Sequence, residues 1–290
     1  MSVNPNYLPQ EIEEVFLCPW CKSRDWEAWS SQYDHFPPVK CKQCGVVFLS
    51  RRLNELGRKN FYKNYLQGHE APERLAPRLK MYKQEFELIR PLVPSGNILD
   101  VGCGSGRFLR LFPPENYRRF GVEYGQEAAN AAKNDLGKEN VFSGGLLEAD
   151  FPDGMFDLII FRGVLEHLAE PREVLEKACL ILKKNGYIFI TSMPNLDSIC
   201  AEVYRNKWTQ HRELEHIIHF GKSHFRLFFQ EHFFREVLDK ELYWETPYAH
   251  PEEDILEVAE AIKAKKANCP IEKVSPAFWG NILCMVFKKL

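Results

Sequence analysis

Asn97-Ile98-Leu99-Asp100-Val101-Gly102-Cys103-Gly104-Ser105-Gly106-Arg107-Phe108 decides the reading of this chain. A short apolar run leads into three glycines at alternate positions, then toward a helix expected to begin near Arg107. Glycine tolerates the left-handed backbone of a tight turn, and without a Cβ it lets a ligand approach main-chain atoms. Asp100 places a carboxylate at the strand end, where it can accept from an ammonium group or an ordered water. The dinucleotide fingerprint is G-x-G-x-x-G, with a pyrophosphate at the helix N-terminus. Here Arg107 stands where the third glycine of that pattern belongs, and the preceding acid suits a cationic ligand better than a pyrophosphate.

Outward from this loop, apolar runs alternate with amphipathic ones. The predicted strands are Asn97–Val101, Arg119–Glu123, Phe156–Phe161, Tyr187–Ser192 and Asn281–Phe287, with helices at Gln126–Leu136 and Arg172–Leu182. Such alternation predicts an α/β fold with a mostly parallel sheet covered on both faces. Upstream, Tyr82, Phe86 and Ile89 recur at helical spacing, and Pro91 and Pro94-Ser95-Gly96 end that helix. The stretch at about 193–230 is aromatic and His-rich and too long for an ordinary connection, so it reads as a functional insertion at the carboxyl edge of the sheet.

The chain has 290 residues, 45% of them hydrophobic and 27% charged, enough apolar surface for a sizeable core. A formal net charge of −2 excludes bulk attraction to polyanions. No apolar run has membrane-spanning length, and the polar, acidic start carries no signal-peptide pattern, so a soluble cytoplasmic protein is expected. Four of the nine cysteines form Cys18-Pro19-Trp20-Cys21 and Cys41-Lys42-Gln43-Cys44. Two C-x2-C knuckles supply four soft thiolates for a tetrahedral Zn²⁺ with bonds near ~2.3 Å, a closed and therefore structural site. Between Lys40 and Lys63 lie seven basic residues, Lys40, Lys42, Arg51, Arg52, Arg58, Lys59 and Lys63, against Glu55. A solvated face, or guidance of an acidic substrate, is preferred for this 40–63 segment over contact with RNA phosphates.

Taken in order, the motifs resemble those of class I S-adenosylmethionine-dependent methyltransferases over roughly residues 80–195. The glycine loop is similar to their motif I, Gly121-Val122-Glu123 to their second-strand acid, and Asp153-Gly154-Met155-Phe156-Asp157-Leu158-Ile159-Ile160 to their fourth-strand motif. Gly163-Val164-Leu165-Glu166-His167-Leu168 and Leu182-Lys183-Lys184-Asn185-Gly186-Tyr187-Ile188 follow as they do in that family. The resemblance implies a Rossmann-like, doubly wound, mostly parallel seven-stranded sheet. It implies S-adenosylmethionine held by Asp100, Gly102, Gly104 and Gly106, with Glu123 on the ribose and Leu146 and Leu147 near the adenine. The implied organisation is a zinc ribbon over 1–50, a helical linker or lid over 51–94, and the catalytic domain over 95–290, with its insertion after the fifth strand capping the substrate.

A ribbon preceding such a domain is similar to bacterial sugar, secondary-metabolite and quinone-type methyltransferases. That points to a small-molecule acceptor, a sugar or nucleotide-sugar hydroxyl. An RNA methyltransferase and an inactive cofactor-binding scaffold are the alternatives. Five of the nine histidines (His211, His216, His219, His224 and His232) lie within 22 residues of the insertion. The similar enzymes have a histidine facing the pocket at the His224 position, followed here by a predicted helix Glu231–Asp239. His224 is thus the first candidate base and His167 the second. Glu166-His167 also resembles the metal-binding acid–His pair of ubiquinone-pathway O-methyltransferases. Those enzymes carry another Glu three residues earlier, where this chain has Gly163, so no second metal is expected and Glu166 is read as structural.

Overall fold

Ile98, Leu99, Leu158, Ile159 and Ile160 are fully buried, as expected of strands covered on both faces. The computed structural model describes residues 7–30, 35–63, 72–244 and 246–290; parts of the expected ribbon (31–34) and linker (64–71) lie outside them. The described strands are β1 (Ile12–Glu14), β2 (Trp26–Ala28), β3 (Pro38–Cys41), β4 (Val47–Leu49), β5 (Arg51–Leu53), β6 (Gly96–Val101), β7 (Tyr117–Glu123), β8 (Val141–Ser143), β9 (Phe156–Arg162), β10 (Leu182–Pro194), β11 (Ile218–His219), β12 (Phe234–Asp239) and β13 (Ile282–Lys289). The described helices are α1 (Glu55–Tyr62), α2 (Pro72–Ile89), α3 (Gln126–Leu136), α4 (Pro171–Ile181), α5 (Ile199–Tyr204), α6 (Lys222–Glu231) and α7 (Pro251–Lys266).

Seven strands form the central sheet in the order β12-β13-β10-β9-β6-β7-β8. Strands β8, β7, β6, β9 and β10 run parallel, and β13 lies antiparallel between β10 and β12. This is the expected doubly wound α/β sheet. Helix α3 buries Ala128, Ala129, Ala132 and Leu136, and α4 buries Val174, Leu175, Ala178 and Ile181, the stripes their spacing predicts.

Two expectations fail. No α-helix follows Gly106; the chain makes turns and one 3₁₀ turn at Leu109–Leu111, because Pro113-Pro114 leaves no room for a helix to propagate. The predicted helix Glu231–Asp239 is also absent. Helix α6 ends at Glu231, Phe233 takes φ +62°, and Phe234–Asp239 becomes the edge strand β12. Main-chain pairing with β13 (Phe234 opposite Lys289) outweighs the local helical pattern.

The N-terminal strands are joined to the insertion. β2, β3 and β4 form an antiparallel meander, and β11 adds to its edge with Ile218 opposite Phe48 and His219 opposite Val47. A second pair, β1 with β5, explains much of the basic run. Arg52 lies 2.7 Å from Glu13, Arg51 2.6 Å from Glu14, and Arg58 3.4 Å from Glu13, while Lys42 pairs with Asp25 at 2.9 Å. These cations are matched by acids that sit earlier in the chain. Among the described residues no helix is long and apolar enough to cross a membrane.

Helix α2 is tied to the sheet by one buried carboxylate. Glu85, fully buried, accepts from Arg162 Nε at 2.6 Å, Thr191 Oγ1 at 2.9 Å and Ser192 Oγ at 2.6 Å. Arg162 also stacks 4.2 Å over the Tyr82 ring. Removing one partner of a buried pair strands the other charge. Glu85→Ala is therefore expected to cost about 3–5 kcal/mol in denaturant unfolding, and a loss below about 1 kcal/mol would contradict this account.

Candidate functional site

Beyond the carboxyl ends of β6, β7 and β9 the sheet opens into a cavity of 1390 Å³. Single small-molecule pockets run to about 300–1,000 Å³, so this one has room for two ligands side by side. It is bordered on one side by the glycine loop, Glu123, Leu146 and Leu147, and on another by Tyr62, Glu166, His167, Thr209, Gln210 and His216.

Gly102 and Gly104 sit at φ +74° and +56°, a region that L side chains rarely adopt. A Cβ at Gly102 would meet Val164 Cγ2 at 2.5 Å, whereas one at Gly104 would project into open space. The glycine loop therefore leaves main chain bare toward the cavity. Gly104 N–H donates to Glu123 Oε2 at 2.8 Å and Gly125 N–H to Oε1 at 2.7 Å, which fixes the carboxylate at the strand end. Burial raises the Glu123 pKa and these N–H donors oppose the rise.

Asp100 is buried and its Oδ1 has no hydrogen-bond partner among the described residues. Desolvation pushes its pKa up to about 8, against the pull of Arg162. A desolvated carboxylate with an unfilled oxygen beside bare main chain fits a cationic, hydrogen-bonding ligand. Leu146 is buried and Leu147 half exposed, and both border the cavity. Gly106, at φ +78°, packs against Leu136 at the back of the loop. Cys103 lies behind the loop, where a Cβ on Gly121 would meet its Sγ at 2.6 Å.

The two candidate bases part company. His167 borders the cavity, its Nδ1 2.8 Å from the Glu215 carbonyl and 3.0 Å from Tyr62 Oη. Burial drives its pKa down to about 4, so the imidazole is neutral. Beside it Glu166 is buried, and desolvation pushes its pKa up to about 8. His224 is elsewhere: its Nδ1 accepts from Gly221 N–H at 3.0 Å and its Nε2–H donates to the Cys44 carbonyl at 2.9 Å. It connects the start of α6 to the second cysteine knuckle and does not border the cavity. Both ring nitrogens are engaged, which leaves no electron pair for an acceptor's proton. His216, Tyr62, Tyr82 and Arg162 were not singled out as site residues from sequence, since nothing local distinguishes them from other aromatic and polar residues.

The four cysteines converge. Cys18 and Cys44 sulfurs lie 3.6 Å apart, Cys21 and Cys41 3.5 Å, and all four within 4.8 Å of one another. A disulfide needs about 2.05 Å, whereas thiolates bound at about 2.3 Å to one tetrahedral ion stand near 3.8 Å apart. A hydrogen bond from Cys44 draws the Cys18 thiol down to about 5, toward the thiolate a metal requires. Trp20 inside the first knuckle packs edge-on against Phe220 at 5.1 Å and tilts over Phe228 at 5.6 Å, so the knuckles rest on the insertion. From this placement His224→Ala is expected to destabilise folding by about 1–3 kcal/mol, by stranding Cys44 O and Gly221 N–H, with ligand affinity at the glycine loop unchanged. Parallel urea unfolding and calorimetric titration check it; intact stability with lost binding would return His224 to the pocket.

Comparison with known proteins agrees with this geometry. The profile of the family described as methyltransferase domain matches residues 68–240, more than half of the chain. An uncharacterized protein of Methanocaldococcus jannaschii is 32% identical over 127 residues, 44% of this chain and 58% of its own length. A ubiquinone biosynthesis O-methyltransferase of Pectobacterium atrosepticum is 26% identical over 101 residues, 33% of this chain and 42% of its own. The matches thus span about half the length of these relatives. The crystal structure of an S-adenosylmethionine-dependent methyltransferase of Thermotoga maritima superposes with a TM-score of 0.52 at 20% identity, covering 80% of this chain and 98% of its own, a likeness of fold. With the glycine loop, the strand-end acid and the five parallel strands all within the matched region, the chain belongs to the methyltransferase domain family.

Proposed function

We propose that this chain transfers a methyl group from S-adenosylmethionine to a small-molecule acceptor, a hydroxyl of a sugar or nucleotide-linked sugar. When bound, the sulfonium supplies an already electrophilic methyl, so the protein's main task is alignment of nucleophile, methyl and sulfur. The observation that carries the reading is the pairing of an unpartnered, buried Asp100 carboxylate with bare Gly104 main chain and a fixed Glu123 around one cavity. In this reading Asp100 meets the ammonium group, Gly102 and Gly104 border the amino-acid portion while Gly106 shapes the loop from behind, Glu123 accepts from ribose hydroxyls, and Leu146 and Leu147 flank the adenine.

The other side of the cavity suits an acceptor with many hydroxyls. Tyr62, Thr209, Gln210, Arg212 and His250 offer mixed donors and acceptors there. The neutral His167 imidazole leaves one electron pair on that side, for an acceptor's proton or, if an ion binds there, for the ion in place of the base role, which is why the reading prefers a working enzyme to an inactive scaffold. An RNA acceptor has less support, because Lys42, Arg51, Arg52 and Arg58 already face carboxylates. The spacing and separation of the four cysteines support a structural Zn²⁺ that holds the N-terminal strands against the insertion. Cys44→Ser is expected to lose one zinc equivalent by elemental analysis and to lower the melting temperature; unchanged zinc content would remove the metal from this site.

The raised Asp100 pKa gives a pH signature. Below pH 8 the free protein holds Asp100 mainly protonated, while the ammonium group binds the carboxylate form, so binding releases a proton. Affinity for S-adenosylhomocysteine is then expected to rise by up to about tenfold per unit between about pH 6 and 7.5 and to level off as the pH passes the Asp100 pKa of about 8. Calorimetry in buffers of different ionisation enthalpy measures the proton directly. Asp100→Asn should bind more weakly at pH 7.5 and flatten the profile. No binding at all by the wild type would end the cofactor reading, and a flat wild-type profile would end the role of Asp100.

A further inference from the structure

Gly163 in place of a glutamate made a second metal unexpected from sequence, but the fold brings His216 to the Glu166–His167 pair. We propose that Glu166, His167 and His216 form a second metal site, for a divalent first-row transition ion, in the cavity wall. One ligand atom from each lies within 4.8 Å of the others, and all three residues border the cavity. Bonds of about 2.0–2.2 Å to one ion require shifts of only roughly 0.5–1 Å at these side-chain ends.

The hydrogen-bond pattern fixes which atoms face the ion. A carbonyl oxygen can only accept, so the 2.8 Å contact from His167 Nδ1 to Glu215 O and the 2.6 Å contact from His216 Nδ1 to Gln210 O each place the ring proton on Nδ1. Both Nε2 atoms are left with an exposed electron pair. Histidine ligands characteristically donate their other ring N–H to a carbonyl or carboxylate, which orients the ring and raises its basicity. Glu166 brings the third donor. It is 2% exposed, yet its Oε2 has no hydrogen-bond partner among the described residues. A Glu166–His167 ion pair does not account for this, because Oε1 lies 3.8 Å from Nε2, beyond hydrogen-bond length. It also leaves the convergence of His216 unexplained.

The backbone holds the set together. Ile217 N–H, next to His216, donates to the Glu166 carbonyl at 2.8 Å, and Leu49 N–H donates to Ile217 O at 3.0 Å. His216 is thereby placed by the same strand edge that joins the insertion to the N-terminal meander. Two neutral imidazoles and one carboxylate suit zinc and its first-row neighbours and leave coordination positions open to the cavity, unlike the closed set of four thiolates. That those positions meet an oxygen of the methyl acceptor rests on the methyl-transfer reading; binding of the ion does not.

The test uses the full chain, stripped with chelator, reloaded with Zn²⁺ and dialysed, with metal counted by elemental analysis. Glu166→Gln and His216→Ala are each expected to hold one zinc equivalent fewer than the wild type, whatever the thiolates retain. Equal content in all three proteins overturns the site. Should a substitution prevent folding, Co²⁺ titration of the wild type decides. A cobalt with ligand-field bands but no thiolate charge-transfer absorption supports the proposal, and thiolate-type cobalt alone refutes it. S-adenosylhomocysteine calorimetry on the same wild-type sample reads the cofactor proposal separately, so either can fail without the other.

Discussion

A short antiparallel pairing, with Ile218 opposite Phe48 and His219 opposite Val47, joins the insertion to the edge of the N-terminal meander, and one wall of the cavity is built beside it. Each residue of the insertion that is ordered costs conformational entropy. Pairing with a preformed edge reduces that cost. His224 on Cys44 O, Trp20 on Phe220 and Phe228, and Leu49 on Ile217 O reinforce the same seam. Residues just ahead of β11 are consequently placed against Glu166 and His167, which belong to the central sheet's own loops.

This arrangement gives the cysteine cluster a task beyond stabilising a small appendage. The knuckles border the strand that receives β11, and the Cys44 carbonyl is itself a hydrogen-bond acceptor for the insertion's helix. The four sulfurs lie a few residues from the strand edge that places one wall of the cavity. The opposite wall has a different origin, in the glycine loop and the acid at the end of β7, and both are set by the parallel sheet. Glu85 connects the two regimes: it anchors α2, which borders the cavity at Met81 and Tyr82, to the ends of β9 and β10.

Buried titratable groups collect around the cavity. Asp100 and Glu166 are both pushed up to about 8 by desolvation, and His167 is driven down to about 4. Each is kept neutral by burial, and each would gain from an opposite charge or a metal brought in with a ligand. Such groups are costly to a free protein, and all three border one cavity.

Local pattern was sufficient for five strands of the central sheet, for α3 and α4, for the strand-end acid Glu123 and for the four cysteines. In each case the signal lies within a few residues: period-two or period-3.6 apolar spacing, three alternate glycines, two C-x2-C pairs. The same reading failed where partners are distant in the chain. Phe234–Asp239 carries a helical pattern but pairs with β13, about fifty residues further on; the helix expected after Gly106 fails for a local reason instead, the nearby Pro113-Pro114. His224 and His216 show the limit most plainly. Their residue types and spacing in the insertion are alike, yet one is spent between a carbonyl and an N–H, and the other meets Glu166 and His167. Which imidazole keeps a free electron pair beside the cavity is settled by strand pairing across the whole length of the chain, and only the folded structure specifies that pairing.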